Sequence, residues 1–202
     1  RRATSLIRDA ELRGLMDHAP HYNSAFRYLE SPDLTPILKW LIEESAKPLK
    51  AVELDFAVDS TGFATCIYDR WFDHKWGKVR SERKWIKAHF ITGVKTNIIT
   101  SVEATPTETA DAPQLPALVN ATAQTFTVAE VSGDKAYSSK RNLRAIQAVG
   151  ATPYVTFKER TTGFPRQASK RDALWQSMWH YFMLNRDVFL THYHKRSNAE
   201  TT

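Results

Sequence analysis

The amino-acid sequence predicts an α/β protein: a mixed β-sheet with helices on both of its faces, preceded by a small helical segment. The prediction rests on the order of two patterns. Alternating apolar and polar residues, typical of strands, dominate residues 51–104. From residue 111 onwards helical and strand patterns alternate, and such crossover units add parallel strands beside the earlier antiparallel ones.

Residues 1–50 are predicted to be a helical lead-in segment. Apolar residues recur at helical spacing in 6–16 and again in 34–42. Pro20 and the Ser31-Pro32-Asp33 sequence separate the helices, and Pro48 ends the segment. Two interpretations stay open: a small domain of its own, or a helical cap packed on the rest of the chain.

Residues 51–202 are predicted to form the main domain. Its first strand carries Leu54, Phe56 and Val58 in alternation with polar residues, and Gly62 predicts a turn after it. Ser138 is the predicted N-cap of a helix that runs to Val149, with Gly150 just past its end. The other predicted strands are 63–72, 86–94, 98–104, 126–131 and 152–157, and the predicted helices are 111–124, 138–149, 172–190 and one that begins at 193.

The net charge of +6 is unevenly distributed along the 202 residues. Residues 1–69 carry −3, 70–95 carry +6, 96–134 carry −5 and 135–202 carry +8. Two basic blocks around an acidic stretch are typical of a protein that binds a polyanion beside a local carboxylate site, or of an ordinary basic surface.

Composition excludes several classes of protein. The lone cysteine, Cys66, excludes an internal disulfide framework and multi-cysteine zinc sites, and its apolar surroundings favour a role in the core. No apolar run reaches the roughly 18 residues of a membrane-spanning helix, and the N-terminus has no secretory pattern. We therefore expect a cytoplasmic protein with no membrane partner.

Tyr193, Arg196 and Glu200 are spaced i, i+3 and i+7, which places them on one face of an α-helix. Arginine and tyrosine suit contacts with phosphate, whereas a carboxylate repels phosphate unless a divalent cation lies between them. The trio therefore indicates a metal-assisted phosphodiester site. The alternative is the end of an amphipathic helix with an ordinary Arg–Glu pair.

Two aspartates are predicted to follow strands. Asp59 precedes Ser60-Thr61-Gly62, and Asp134 follows the strand that ends at Gly133. Polar sites of α/β sheets collect at such strand ends, and a few carboxylates suffice for Mg²⁺ because it keeps several waters. Each aspartate alone is as easily a turn or cap residue. The alternation does not choose between Asp55 and Asp59.

Three segments in order resemble the DDE transposases of bacterial insertion sequences: DSTGF at 59–63, GDKAY at 133–137, and YHKRSNAETT at 193–202. The third is the most specific, because it resembles that family's Tyr-x2-Arg-x3-Glu-x6-Lys motif. The resemblance covers about residues 51–202, and YNSAFRYL at 22–29 also looks like the lead-in region of such proteins.

The resemblance implies a ribonuclease H-like fold and an endonuclease that cleaves and joins DNA at insertion-sequence ends. Asp59, Asp134 and Glu200 would be the catalytic and metal-binding residues, with two Mg²⁺ (or Mn²⁺) ions per site. Tyr193 and Arg196 would bind DNA phosphates. The expected partner is double-stranded DNA, as transposon ends and as target. A second copy of the chain is expected to bind the same DNA, in the bacterial nucleoid.

The motif's lysine would fall beyond Thr202, so we expect the domain of residues 51–202 to be truncated at its C-terminus. Two further interpretations remain. The chain is an inactive or repurposed transposase fragment that binds DNA, or it is a different ribonuclease H-like nuclease, in which the Tyr-Arg-Glu helix face is dispensable.

Further basic residues are candidates for DNA contact. Lys84 and Lys87 belong to a run, 75–87, in which basic and aromatic residues alternate, and a solvated hairpin is the alternative. Lys135 and Arg141 follow Asp134 and are predicted to line a DNA-binding channel beside it, together with Lys140 and Arg144. His89 is interpreted as a core histidine, and His192 and His194 are not predicted to bind zinc as a pair.

Overall fold

A computed structural model of the chain describes residues 2–64, 85–164 and 171–201. The chain forms two compact units, Arg1–Leu41 and Ile42–Thr202. Among the described residues, no helix has the length and hydropathy to cross a lipid bilayer. The helices are α1 (Arg2–Leu12), α2 (Tyr22–Glu30), α3 (Leu34–Ala46), α4 (Leu115–Ala123), α5 (Lys140–Ala148), α6 (Ala173–Leu184) and α7 (Arg186–Tyr193). The strands are β1 (Asp55–Ala64), β2 (Trp85–Gly93), β3 (Ile99–Pro106), β4 (Glu130–Gly133) and β5 (Thr152–Val155).

The five strands form one mixed sheet in the order β3-β2-β1-β4-β5. β1, β2 and β3 are antiparallel neighbours, as consecutive strands of a meander can be. β4 joins β1 in parallel, and β5 joins β4 in parallel after the crossover through α5. The predicted mixed α/β sheet is confirmed, with the antiparallel half first and the parallel half second, as expected for the ribonuclease H-like fold.

Helices cover both faces of the sheet. Register places the side chains of Val58, Ile91 and Ser101 on one face, because these three residues are directly paired across β1, β2 and β3. The Ser101 hydroxyl donates to the Leu118 carbonyl of α4 at 3.0 Å, so α4 covers this face. The other face carries Tyr154 of β5, whose ring lies 5.3 Å from that of Phe189 in α7.

The first strand is longer than predicted. Gly62 does not end it in a turn but lies inside β1, where it pairs with Lys87 of β2. Phe63 likewise continues β1 and does not begin a second strand, and the rest of the predicted strand 63–72 lies outside the described residues. The turn prediction is wrong because β2 pairs with β1 along its whole second half, so the ladder continues through the glycine.

The predicted helices are present, but some of their boundaries are wrong. The expected helix 172–190 is two helices, because Asn185 breaks it with φ −125° and ψ 47°. Asparagine is a poor helix former, but it carries no signal as strong as proline. The N-cap of α5 is Ser139 and not Ser138, and its hydroxyl accepts from the Asn142 N–H at 3.1 Å. Gly150 follows the end of α5, as predicted, and adopts the left-handed conformation with φ +84°.

A buried carboxylate closes the connection between β2 and β3. Glu53 is fully buried, and it accepts hydrogen bonds from the backbone N–H groups of Lys95, at 3.2 Å, and of Thr96. Gly93 leaves the space for it, because a Cβ on Gly93 would lie 2.6 Å from Glu53 Cδ. The carboxylate therefore satisfies two amides that the hairpin turn cannot satisfy by itself.

Candidate active site

Asp59 and Asp134 occupy equivalent places on adjacent strands. The parallel pairing of β1 with β4 ends at Val58 and Gly133, and each aspartate follows directly. Asp59 is still within β1, which continues along β2 alone, so it stands at the end of the parallel pairing and not at the end of its strand as predicted. Since neighbouring strands lie about 4.8 Å apart, the two aspartates leave the paired region side by side.

Local hydrogen bonds hold both carboxylates. One oxygen of Asp59 accepts from the Ser60 N–H at 2.8 Å. One oxygen of Asp134 accepts from the Lys135 N–H, and Asp134 caps the 3₁₀ turn Lys135–Tyr137. Within the described ranges, neither carboxylate has a salt bridge to a lysine, arginine or histidine. No described cationic side chain therefore competes with a metal ion for either half-buried carboxylate.

Tyr137 is buried close enough to the two aspartates for their charges to act on it. Its side chain is 1% exposed. Burial raises the pKa of the Tyr137 hydroxyl, and the negative charges of Asp111, Asp59 and Asp134 raise it further. Tyr137 therefore stays neutral and places a phenol, a hydrogen-bond donor, next to the carboxylates.

The segment that carries Glu200 packs on the same two strands. It is the 3₁₀ helix His194–Thr201, called here the 194–201 segment, and it contacts both β1 and β4. The side chain of Glu200 lies outside the part of the chain that the structure describes. Over the described residues, no set of three or more His, Cys, Asp or Glu side chains is arranged to hold a metal ion.

Tyr193 and Arg196 contact each other. The guanidinium carbon of Arg196 lies 5.4 Å from the centre of the Tyr193 ring, within cation–π range. The segment winds as a 3₁₀ helix, in which residues three apart are eclipsed, and not as the predicted α-helix. Backbone positions 196 and 200 of this 3₁₀ segment are therefore offset by about 120°, whereas an α-helix running on from Tyr193 would bring all three positions to one face. Such 3₁₀ turns are common at the ends of α-helices.

Asp55, which the sequence pattern could not distinguish from Asp59 as a candidate ligand, is bound by Lys195. Lys195 Nζ donates to Asp55 Oδ2 at 2.7 Å and to Glu130 Oε2 at 2.8 Å. Burial by itself would lower the pKa of Lys195, but the two hydrogen-bonded carboxylates outweigh it and raise that pKa. Asp55 thus has a protein cation as partner, at the opposite end of the β1–β4 pairing from Asp59.

The basic candidates fall into two groups. Lys135 and Arg141 are exposed close behind Asp134, in the 3₁₀ turn and the first turn of α5. Lys87 is half-buried and forms an ion pair with Asp111 at 2.5 Å, and Arg144 pairs with Asp172. Lys84 lies outside the described residues, as does most of the basic run 75–87.

Three described histidines, His89, His192 and His194, contact neighbouring side chains. His89 is fully buried, and its Nε2 lies 2.9 Å from Thr105 Oγ1. The His192 ring stacks on Tyr154 at 4.3 Å and binds Glu130, while the His194 ring packs edge-on against Tyr193.

Two features of this region do not follow from the sequence patterns. The sequence patterns give Tyr137 of GDKAY no role. Its position three residues after Asp134 is the one sequence feature that could have placed it near that aspartate. Asp111 pairs with Lys87 and lies 3.3 Å from His89 Nδ1, but the residues are more than 20 positions apart. Sequence periodicity does not relate positions so far apart, so the contacts of Asp111 with Lys87 and His89 become evident only in the folded structure.

Comparison with known proteins gives one family. The sequence model described as the transposase DDE domain matches residues 50–202. No curated protein sequence matches the chain. Among solved structures, the chain is similar to that titled "Cryo-EM structure of piggyBac transposase synaptic complex with hairpin DNA", at 11% identity and a TM-score of 0.37, covering 71% of this chain and 34% of that one. The chain thus spans about a third of the length of that relative.

Proposed function

The chain belongs to the transposase DDE domain family, and on that premise we propose that it cleaves and transfers DNA strands with divalent metal ions held by Asp59, Asp134 and Glu200. One observation carries the proposal: Asp59 and Asp134 each follow the last residue pair of the parallel strands β1 and β4. Glu200 would complete the site from the 194–201 segment, which packs on those strands.

The carboxylates fit Mg²⁺ or Mn²⁺. Both ions prefer oxygen ligands, and Asp59 and Asp134 offer half-buried carboxylates that form no salt bridge with a described lysine or arginine. When bound, two such ions would stabilise the charge of the attacking and leaving oxygens at the scissile phosphate. The hydrogen bonds from Ser60 N–H and Lys135 N–H fix the orientation of the ligands before any ion arrives.

DNA would be held by the cations around this edge of the sheet. Arg196 presents a guanidinium braced by the Tyr193 ring, which suits bidentate contact with phosphate. Lys135 and Arg141 are exposed next to Asp134 and would bind the backbone on that side. Lys84 would contribute from the basic run, and Lys87 would do so after leaving Asp111. A second copy of the chain would act on the paired transposon end.

Asp59→Asn and Asp134→Asn test the metal site. Asparagine keeps an oxygen that accepts the neighbouring N–H, so the fold is expected to survive while the negative charge is lost. We expect the double variant to lose saturable Mn²⁺ binding, followed by electron paramagnetic resonance, and to lose Mn²⁺-dependent nicking of supercoiled plasmid DNA. Asp187→Asn is the matched control, because Asp187 is an exposed carboxylate in the first turn of α7.

The outcomes separate the candidate functions. Wild-type Mn²⁺ binding equal to that of the double variant would overturn the metal site, and DNA binding without it would favour a repurposed DNA-binding protein. Intact cleavage by Arg196→Ala, with cleavage lost in Asp59→Asn, would favour a ribonuclease H-like nuclease of another kind. Loss of cleavage both in the aspartate variants and in Arg196→Ala supports the transposase.

A further inference from the structure

A second pair of carboxylates lies on the face of β1 and β4 that carries Asp59. Asp55 and Glu130 are directly opposite in the register, four residues before Asp59 and Asp134. Lys195 Nζ lies between them, 2.7 Å from Asp55 and 2.8 Å from Glu130. Like charges opposite each other repel, so the single Lys195 cation offsets part of that repulsion and joins two strands.

His192 adds a second attachment just before Lys195. Its Nδ1 lies 2.8 Å from Glu130 Oε1, and its ring stacks on Tyr154 with an interplanar angle of 6°. The chain is thereby attached to β5, β4 and β1 in turn as α7 ends and the 194–201 segment begins. The side chains of Lys195, Asp55 and Glu130 are 31%, 22% and 19% exposed, so water screens these pairs only partly.

We propose that Lys195 is a positioning residue: by bridging Asp55 and Glu130 it holds the 194–201 segment on β1 and β4 and so sets the place of Glu200. The inference rests on the proposed function in taking Glu200 as a metal ligand. In this role Lys195 acts through the two carboxylates it binds and not through a contact of its own with DNA or metal.

The dimensions fit this role. Five residues of 3₁₀ helix span about 10 Å from Lys195 to Glu200. Four residues of β1 span about 13 Å from Asp55 to Asp59. A segment fixed at Asp55, in contact with β1 and β4 and running in the direction of β1, would therefore bring Glu200 to within about 3 Å of the level of the two aspartates. The 194–201 segment otherwise has few apolar residues to hold it, since only Ala199 among its eight is apolar.

Three variants of the full chain test the bridge. Lys195→Met keeps the length of the side chain and removes its charge. Asp55→Asn combined with Glu130→Gln removes the acceptor charges and leaves no acidic pair to attract a metal ion. Lys195→Arg keeps the cation and is expected to restore the wild-type behaviour. Lys158→Met is the control, because Lys158 is an exposed lysine outside the bridge and the proposed site.

Hydrogen exchange and Mn²⁺ affinity are the two measurements. We expect Lys195→Met and the Asp55/Glu130 double variant to speed exchange of the amides of residues 194–201 by roughly fivefold to tenfold, while the core strands stay protected. Mn²⁺ affinity should fall by roughly tenfold, as it does when the groups that orient a metal ligand are removed. Lys195→Arg and Lys158→Met should change neither.

Each other result overturns a defined part of the proposal. Unchanged exchange in Lys195→Met would overturn the bridge itself. Faster exchange with unchanged Mn²⁺ affinity would overturn the positioning of Glu200. If the wild-type chain shows no Asp59-dependent Mn²⁺ binding, the proposed function fails instead, and exchange alone then decides whether Lys195 holds the segment.

Discussion

Gly133 of β4 stands against Val58 of β1 so closely that a Cβ on Gly133 would lie 2.7 Å from Val58 Cγ1. Gly133→Ala therefore forces the Val58 side chain or the strands themselves to shift just before Asp59 and Asp134. We expect this substitution to lower the free energy of unfolding by about 1–3 kcal/mol, as overpacking does. Urea unfolding measures that decrease, and Mn²⁺ titration should show weaker binding because a shift at this point displaces the two carboxylates that follow.

Val58→Ala supplies the control for this substitution, since it removes the atom that an alanine at 133 would strike. The destabilisation of the double variant should be smaller than the sum of the two single effects, which is the signature of neighbouring side chains. Strictly additive effects would show that Gly133→Ala acts in some other way.

Arg196→Ala should weaken DNA binding. The guanidinium is held over the Tyr193 ring at 5.4 Å, and removing one phosphate-binding cation there lowers the slope of log affinity against log salt by about one. Fluorescence anisotropy with a labelled duplex, measured at several salt concentrations, checks this. Arg196→Lys should recover part of the affinity but not the bidentate geometry.

Arg186 offers a matched comparison for that experiment. Its guanidinium lies 5.0 Å from the Phe182 ring, so Arg186→Ala removes a similar arginine–aromatic pair elsewhere in the chain. We expect it to leave the salt slope near the wild-type value. An equal effect of both substitutions would mean that overall charge, and not the place of Arg196, governs binding.

Asp172 should contribute to acid sensitivity. Burial alone would raise its pKa, but the Trp175 N–H at 2.8 Å and the Arg144 guanidinium outweigh burial and hold the pKa below its ordinary value of 3.8. Its stabilising effect is therefore complete above about pH 4 and is lost as pH falls through the lowered pKa. Asp172→Ala should cost about 1 kcal/mol at pH 7, the usual value of an N-cap.

Asp172→Asn separates the cap from the charge, because its amide oxygen still accepts from Trp175 N–H. When the pH is lowered from 5 to 2.5, the unfolding free energy of Asp172→Asn, measured in urea, should fall less than that of the wild-type chain. Parallel curves for the two proteins would contradict the assignment of the charge effect to Asp172.

His89 should make the fold weaker in mild acid. Burial lowers the pKa of His89, although nearby Asp111 opposes the shift, so the folded chain favours the neutral ring. The unfolded chain takes up the proton from about pH 6.5 downwards, so stability is full above that pH and declines below it. His89→Gln should flatten the decline in unfolding free energy between pH 6.5 and pH 5, and an unchanged slope would be the contrary result.

Local patterns predict most of the sheet. The alternation around Phe56 and Val58 places β1 because one residue in two faces the core, and the same rule puts Asp59 on the opposite face. Gly62 is misleading because a glycine in a fully paired strand resembles a turn signal. The break at Asn185 is hidden because a helix break without proline or glycine leaves the apolar pattern almost intact.

The site is predictable only in part, for a different reason. Asp59 and Asp134 follow from predicted strand ends and from the resemblance, but their side-by-side placement depends on the register of β1 and β4. In the sequence Lys195 is one basic residue of a motif, whereas its partners Asp55 and Glu130 are 140 and 65 positions away. Pairings at such distances follow from topology, which local spacing does not contain.

The buried Glu53 has a consequence for the order in which the chain folds. The β2–β3 hairpin is local in sequence, yet two of its turn amides, those of Lys95 and Thr96, bind a carboxylate 42 and 43 positions earlier. That interaction requires a long loop to close first, which slows folding. The hairpin is therefore expected to become stable only once the residues before β1 have docked, so this turn should be among the last parts of the sheet to acquire protection during refolding.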